Sequence, residues 1–252
     1  MYSQWIRQFY SLRIGDITWG GKSIGNVGQT NFSAIVTSGD LDIDEPPTTE
    51  RADYGVVRFQ RSLPGGSTLG LLAANRRLEG QDQGSVGLDT TLFFTETLGM
   101  TAQLIRVHGA NADGGLAWFV RPAYDSARTH FHVRYTNLDP GIRADFNAVG
   151  FLRDDDRREF DTNFRRRFFI ESGPVEKVEA GANYTRFYSH SGTLRAWDLD
   201  ADLEVTFRNG FEVEVERIED YQLFEKAFRN DRTEVKIRWD GRDGRSVRAF
   251  VA

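Results

Sequence analysis

Apolar and polar residues alternate along most of this chain, and the alternation is cleanest over residues 193–216. Trp197, Leu199, Ala201, Leu203, Val205 and Phe207 fall on one side of an extended strand; Asp198, Asp200, Asp202, Glu204 and Thr206 fall on the other. Successive side chains of a strand point to opposite faces, so the pattern predicts a sheet with one apolar and one charged face. Arg208, Asn209 and Gly210 suit a three-residue hairpin loop with Gly210 in the left-handed position. That loop sets Phe207 opposite Phe211, Val205 opposite Val213 and Leu203 opposite Val215. On the charged face Glu204 then meets Glu214 and Asp202 meets Glu216, with Glu212 in the same row.

The reading extends in both directions. Residues 1–20 fit a short amphipathic helix or a first strand, through Trp5, Ile6, Phe9, Tyr10 and Leu12. A turn follows near Asn26, Val27 and Gly28, and residues 39–51 read as an acidic, proline-bearing exposed loop. Residues 52–63 and 67–75 make a hairpin about Pro64, Gly65 and Gly66, and residues 76–83 read as a polar loop. Strands over 85–95 and 100–108 follow; beyond them Leu116, Trp118, Val120, Pro122 and Tyr124 share a face, as do Phe131, Val133 and Tyr135. In the irregular stretch 139–156, Phe146, Val149 and Phe151 mark a packed loop. Strands over 157–169, 175–188, 232–240 and 245–251 complete an all-β, antiparallel up-and-down meander of about 12–14 strands.

Strand length points to the type of meander. Trp197 to Phe207 spans about 33 Å at ~3.3 Å per residue. Tilted by roughly 45°, it rises about 23 Å, close to the ~25 Å apolar band of an outer-membrane barrel with aromatic girdles. Trp197, Leu199, Leu203, Val205, Phe207, Phe211, Val213 and Val215 are the lipid-facing candidates. A mean hydropathy of -0.49 and the lack of any run of eighteen apolar residues exclude a membrane helix but not a barrel. At 252 residues the chain reads as a single barrel domain over 1–252. The ends lack a signal peptide and stop within an alternating run, so the expectation is a fragment of an incomplete barrel without its closing strands. Arg217 counts against lipid: in the predicted register it faces the apolar side, where an Arg at the midplane costs roughly 2–4 kcal/mol. A bulge near Glu216 would turn Ile218 outward instead.

Charge narrows the chemistry. The net charge of -5 and the scattered basic residues argue against nucleic acid, and the absence of cysteine removes disulfides and thiolate metal sites. Like charges opposite one another destabilise a hairpin. The row Asp198, Asp200, Asp202, Glu204, Glu212, Glu214 and Glu216 therefore needs water or arginines such as Arg165 and Arg167, and is read as lumen-lining. His130, His132 and Arg134 join it on a neighbouring polar face. His130 and His132 could both reach one zinc, but local spacing fixes no third ligand, so no metal is assigned. Asp198-x-Asp200-x-Asp202 and Asp40-x-Asp42-x-Asp44 lack the Gly and Glu of a calcium loop. No catalytic triad order, phosphate loop or dinucleotide fingerprint is present, so neither enzyme activity nor a cofactor is expected.

Several motifs together resemble a bacterial family. They are F-Y-S-L-R-I-G (9–15), G-G-K-S-I-G-N-V-G (20–28), Y-G-V-V-R-F-Q-R-S-L (54–63) and L-G-L-L-A-A-N-R (69–76). V-G-L-D-T (86–90), F-N-A-V-G-F-L-R (146–153) and F-R-N-G (207–210) follow. In that family a carbohydrate-binding-family-nine-like module precedes a long domain of unknown function predicted to be an outer-membrane β-barrel. The chain resembles part of that barrel, from about Phe9 onward, without the sugar-binding module. The resemblance implies an outer-membrane location, contact with membrane lipid, and a surface channel or receptor linked to carbohydrate binding or uptake. It carries no catalytic residues. The alternative expectation is a soluble β-barrel or sandwich binding domain with a His-based metal or ligand site.

Overall fold

The computed structural model describes residues 5–41, 51–111, 114–240 and 246–251. Fourteen strands dominate the described residues. They are β1 (Ile17–Val27), β2 (Thr30–Asp40), β3 (Arg51–Ser62), β4 (Thr68–Leu78), β5 (Gln81–Phe93), β6 (Leu98–His108), β7 (Leu116–Asp125), β8 (Thr129–Leu138), β9 (Arg157–Phe169), β10 (Val175–Tyr188), β11 (Leu194–Phe207), β12 (Phe211–Leu223), β13 (Ala227–Asp240) and β14 (Ser246–Val251). Their order in the sheet follows their order in the chain, as an all-β up-and-down meander requires. A four-residue α-helix, α1 (Arg143–Phe146), lies between β8 and β9. Contacts divide the chain into two compact units, Met1–Arg121 with Thr136–Arg158, and Pro122–Tyr135 with Glu159–Ala252.

In the first unit, alternation sends Tyr54, Val56, Leu72, Ala74, Ile105 and Val107 to a buried face. Val57, Phe59, Leu69, Leu71, Val86, Leu88 and Leu104 stay exposed on the opposite one. The buried face is filled by two irregular pieces. The loop carrying α1 contributes Ile142, Phe146, Val149 and Leu152, which confirms it as packed. The segment ahead of β1 contributes Ile6 and Gln8; its described residues, 5–16, form neither a first strand nor an amphipathic helix and have one 3-10 turn at Ser11–Arg13. Its backbone is satisfied by other means. Ile6 N–H donates to Gln103 Oε1 at 3.1 Å while Gln103 Nε2 donates to the Ile6 carbonyl at 3.2 Å. Tyr10 N–H donates to the Val149 carbonyl at 2.7 Å, and Phe151 N–H to the Arg7 carbonyl at 2.9 Å.

The polar run 76–83 is not a loop. β4 and β5 continue through it to a two-residue turn, Glu79-Gly80, both at positive φ (50° and 82°), as a twisted tight hairpin needs. The polar side chains pair across that end: Arg77 donates to Asp82 at 2.7 Å, and Arg76 to Gln83.

In the second unit the hairpin of β11 and β12 has the predicted register, Leu203 opposite Val215 and Val205 opposite Val213. Gly210 is left-handed at φ 86°. No bulge forms at Glu216: Ala201 stays opposite Arg217 and Asp200 opposite Ile218. Arg217 is instead neutralised where it stands, by Glu219 at 2.9 Å and Asp231 at 2.6 Å, and it donates to Thr233 at 3.0 Å. β13 starts at Ala227 rather than near residue 232, because Asp231 and Thr233 extend the outer row that meets Arg217.

Candidate functional site: the charged face of the second unit

Alternate residues of β9 to β13 place one charged row beside the next. β9 presents Glu159, Asp161, Arg165 and Arg167; β10 presents Lys177, Glu179 and Thr185; β13 presents Arg232, Glu234, Lys236 and Arg238. Between β10 and β13 lie the acidic rows of β11 and β12.

Glu179 is the hub, at 5% exposure. Arg165 Nη1 donates to its Oε1 at 2.7 Å, Arg167 Nε to its Oε2 at 2.7 Å, and Lys177 Nζ approaches to 3.5 Å. Arg165 also reaches Asp202 at 2.9 Å, and Lys177 reaches Glu204 at 2.7 Å. On the far side Lys236 Nζ donates to Glu216 at 2.5 Å and Glu214 at 3.3 Å and lies 3.7 Å from Glu234. Arg238 binds Glu212, and Arg232 binds Glu234 at 3.0 Å. Asp200 has Glu216 and Asp202 beside it and Lys236 within electrostatic reach. Asp198, exposed, sits opposite both Thr185 and Asp220.

Arg165 reaches the acidic row at Asp202, whereas Arg167 stops at Glu179 on β10, and cations that the sequence reading did not single out stand beside them. Lys177, Arg232, Lys236 and Arg238 lie one strand away from their partners, and only shared parity marks them. With them, the face is a ladder of alternating charge rather than a purely acidic wall. Each rung satisfies a carboxylate that would otherwise face another carboxylate across the hairpin.

The histidine corner is separate. His130 Nε2 lies 3.1 Å from His132 Nδ1, and His132 Nε2 lies 2.9 Å from Asp161 Oδ1. Arg134 donates to Glu159 at 2.8 Å and stands 3.4 Å from Asp161, which also accepts from Thr185 Oγ1 at 3.0 Å. Among the described residues no three His, Asp or Glu side chains converge as ligands of one metal ion. Asp42 and Asp44 of the second aspartate run lie outside the described residues.

Trp197, Leu199, Leu203, Val205, Phe207, Phe211, Val213 and Val215 all occupy the opposite, apolar face. Leu203 remains 46% exposed there. No helix among the described residues is long and apolar enough to cross a membrane, which says nothing of strands. No protein family, curated protein or solved structure matches this chain.

Proposed function

We propose that this chain is part of the wall of a bacterial outer-membrane β-barrel, with its apolar face toward lipid and its charged face toward water. The observation that carries the reading is the exposed apolar face of both units. Leu88 and Leu104 in the first are about as exposed as Leu203 in the second, although the opposite face is a packed apolar core in the first unit and a charged ladder in the second. Each exposed apolar Å2 costs about 25 cal/mol in water, and contiguous apolar patches beyond a few hundred Å2 belong to surfaces that meet another apolar phase. Lipid supplies that phase. Arg217 stands opposite Ala201, inside the row from Trp197 to Phe207, so its charge is offset there by Glu219 and Asp231 rather than by headgroups.

The wet face supports a surface channel or receptor role, and its link to carbohydrate binding or uptake rests on the family resemblance alone. A soluble binding domain would need a second layer over Trp197, Leu199 and Leu203.

The cysteine-free chain permits a direct test. Single spin labels at Leu203→Cys and Asp202→Cys in the protein reconstituted into liposomes should report oxygen access at the first and aqueous-relaxant access at the second. Equal access of the aqueous relaxant to both would overturn the membrane reading. Planar-bilayer conductance of the same material tests the channel role; if Asp202→Asn with Glu214→Gln leaves ion selectivity unchanged, the acidic row is structural.

A further inference from the structure

The histidine corner is built more tightly than a polar wall requires. The rings of His130 and His132 meet edge to face, 5.3 Å between centroids, with Nε2 of the first 3.1 Å from Nδ1 of the second. The outer nitrogen of each ring looks at a carboxylate. His132 Nε2 lies 2.9 Å from Asp161 Oδ1, and His130 Nδ1 lies 3.6 Å from Asp125 Oδ1. Asp161 is fixed in turn by Thr185 Oγ1.

A carboxylate against one ring nitrogen holds the proton there and leaves the lone pair on the other nitrogen. At His132 this leaves the Nδ1 lone pair turned toward His130 Nε2, 3.1 Å away. Asp125, at 3.6 Å, is beyond hydrogen-bond reach and fixes no tautomer of His130. A proton on His130 Nε2 fills the gap as a hydrogen bond; with that proton on Nδ1 instead, both lone pairs converge on one metal ion. With metal–nitrogen bonds of ~2.0–2.1 Å, nitrogens at this separation subtend about 100° at the ion, between square-planar and tetrahedral values.

We propose that His130 and His132 form a two-imidazole site for a divalent transition ion, Cu2+, Ni2+ or Zn2+, with water completing the coordination. Nitrogen donors disfavour calcium and magnesium, which take oxygen. Local charge favours a cation. The carboxylates of Asp125 and Asp161 lie against the rings; Arg134, 3.4 Å from Asp161, is held more closely by Glu159 at 2.8 Å. Access is from the side of His130, 31% exposed against 12% for His132. The site needs only this face of the second unit and is independent of the membrane reading.

Electron paramagnetic resonance of the full chain with one equivalent of Cu2+ tests it. The expected spectrum shows two nitrogen donors at a single site. His130→Gln and His132→Gln should each abolish that spectrum, whereas His108→Gln with His190→Gln should leave it intact. Asp161→Asn should weaken binding 10–100-fold by freeing the His132 tautomer. Circular dichroism checks that each variant folds, and should His132→Gln unfold, the more exposed His130→Gln decides. An unchanged Cu2+ spectrum and affinity in the His130→Gln, His132→Gln double variant would overturn the proposal, as would a one-nitrogen spectrum in the unaltered chain.

Discussion

Arg165 on β9 reaches Asp202 on β11 across the full width of β10, with Nη2 at 2.9 Å from Oδ1. The path passes over Gly181, where a Cβ would stand 2.6 Å from Asp202 Oδ1 and 2.9 Å from Arg165 Nη2. The first unit contains the same arrangement: Arg58 on β3 binds Asp89 on β5 bidentately over Gly70, where a Cβ would lie 2.7 Å from each partner. Gly181→Val should therefore push the pair apart and cost about 1–3 kcal/mol, between the values for exposed and buried pairs. Ala182→Val, on the other face of β10, should stay within about 0.5 kcal/mol. Urea midpoints of the two variants in detergent make the comparison.

The carboxylates of the ladder should differ in weight. Glu179→Gln leaves Arg165, Arg167 and Lys177 without the anion they share, and this group is buried. Its loss should cost about 1–3 kcal/mol, below the buried-pair range because the cations left behind are partly exposed and Arg165 and Lys177 keep Asp202 and Glu204. Glu214→Gln, more exposed and bound by Lys236, should cost about 1 kcal/mol or less. Denaturation midpoints in the reverse order would show that Glu179 is not the hub.

Gln103 is the clamp on the segment ahead of β1. Gln103→Leu keeps the side-chain volume near its original value but leaves both Ile6 backbone groups unpaired, at about 1–3 kcal/mol each. Arg7 and Arg13 offer tryptic sites within that segment. Limited trypsinolysis should cleave there faster in Gln103→Leu than in the original chain, with later sites unaffected.

Two outward glycines should respond in opposite ways. At Gly84 a Cβ would fall 2.1 Å from the Ala74 carbonyl oxygen, a backbone atom of β4 that cannot swing aside. Gly84→Ala should cost about 1–3 kcal/mol or more through overpacking. At Gly21 nothing lies within 4 Å, and Gly21→Ala should be neutral to about 0.5 kcal/mol. Thermal midpoints of the pair test this.

The strands were legible because the period of two survives wherever one face is apolar. Phe207, Val205 and Leu203 therefore predicted the partners Phe211, Val213 and Val215, and the R-N-G loop fixed the register. The signal fails where both faces are wet. Arg76 to Gln83 looked like a loop because its outward side chains, Arg77 and Asp82, are as polar as its inward ones. It fails again where chain is held by distant groups: nothing local to Ile6 announces Gln103, 97 residues on. Of the charged face, the acidic row was visible as a run in one hairpin. Glu179, Lys177 and Lys236 were not, since a salt ladder is written across strands and leaves no local pattern. The Glu79-Gly80 turn had a signal, a glycine flanked by paired polar residues, that a strand reading could have used.

The glycine beneath each arginine bridge bears on how the meander avoids mispairing. A strand that slips by one residue exchanges its faces, which the apolar pattern already forbids. A slip by two keeps the faces and is the harder error to exclude. For β10 such a slip would put Glu179 or Asn183 where Gly181 stands and block the passage from Arg165 to Asp202. For β4 it would put Leu72 or Thr68 in the place of Gly70, between Arg58 and Asp89. One residue without a side chain thus checks alignment against both neighbouring strands at once, and each unit carries its own checkpoint.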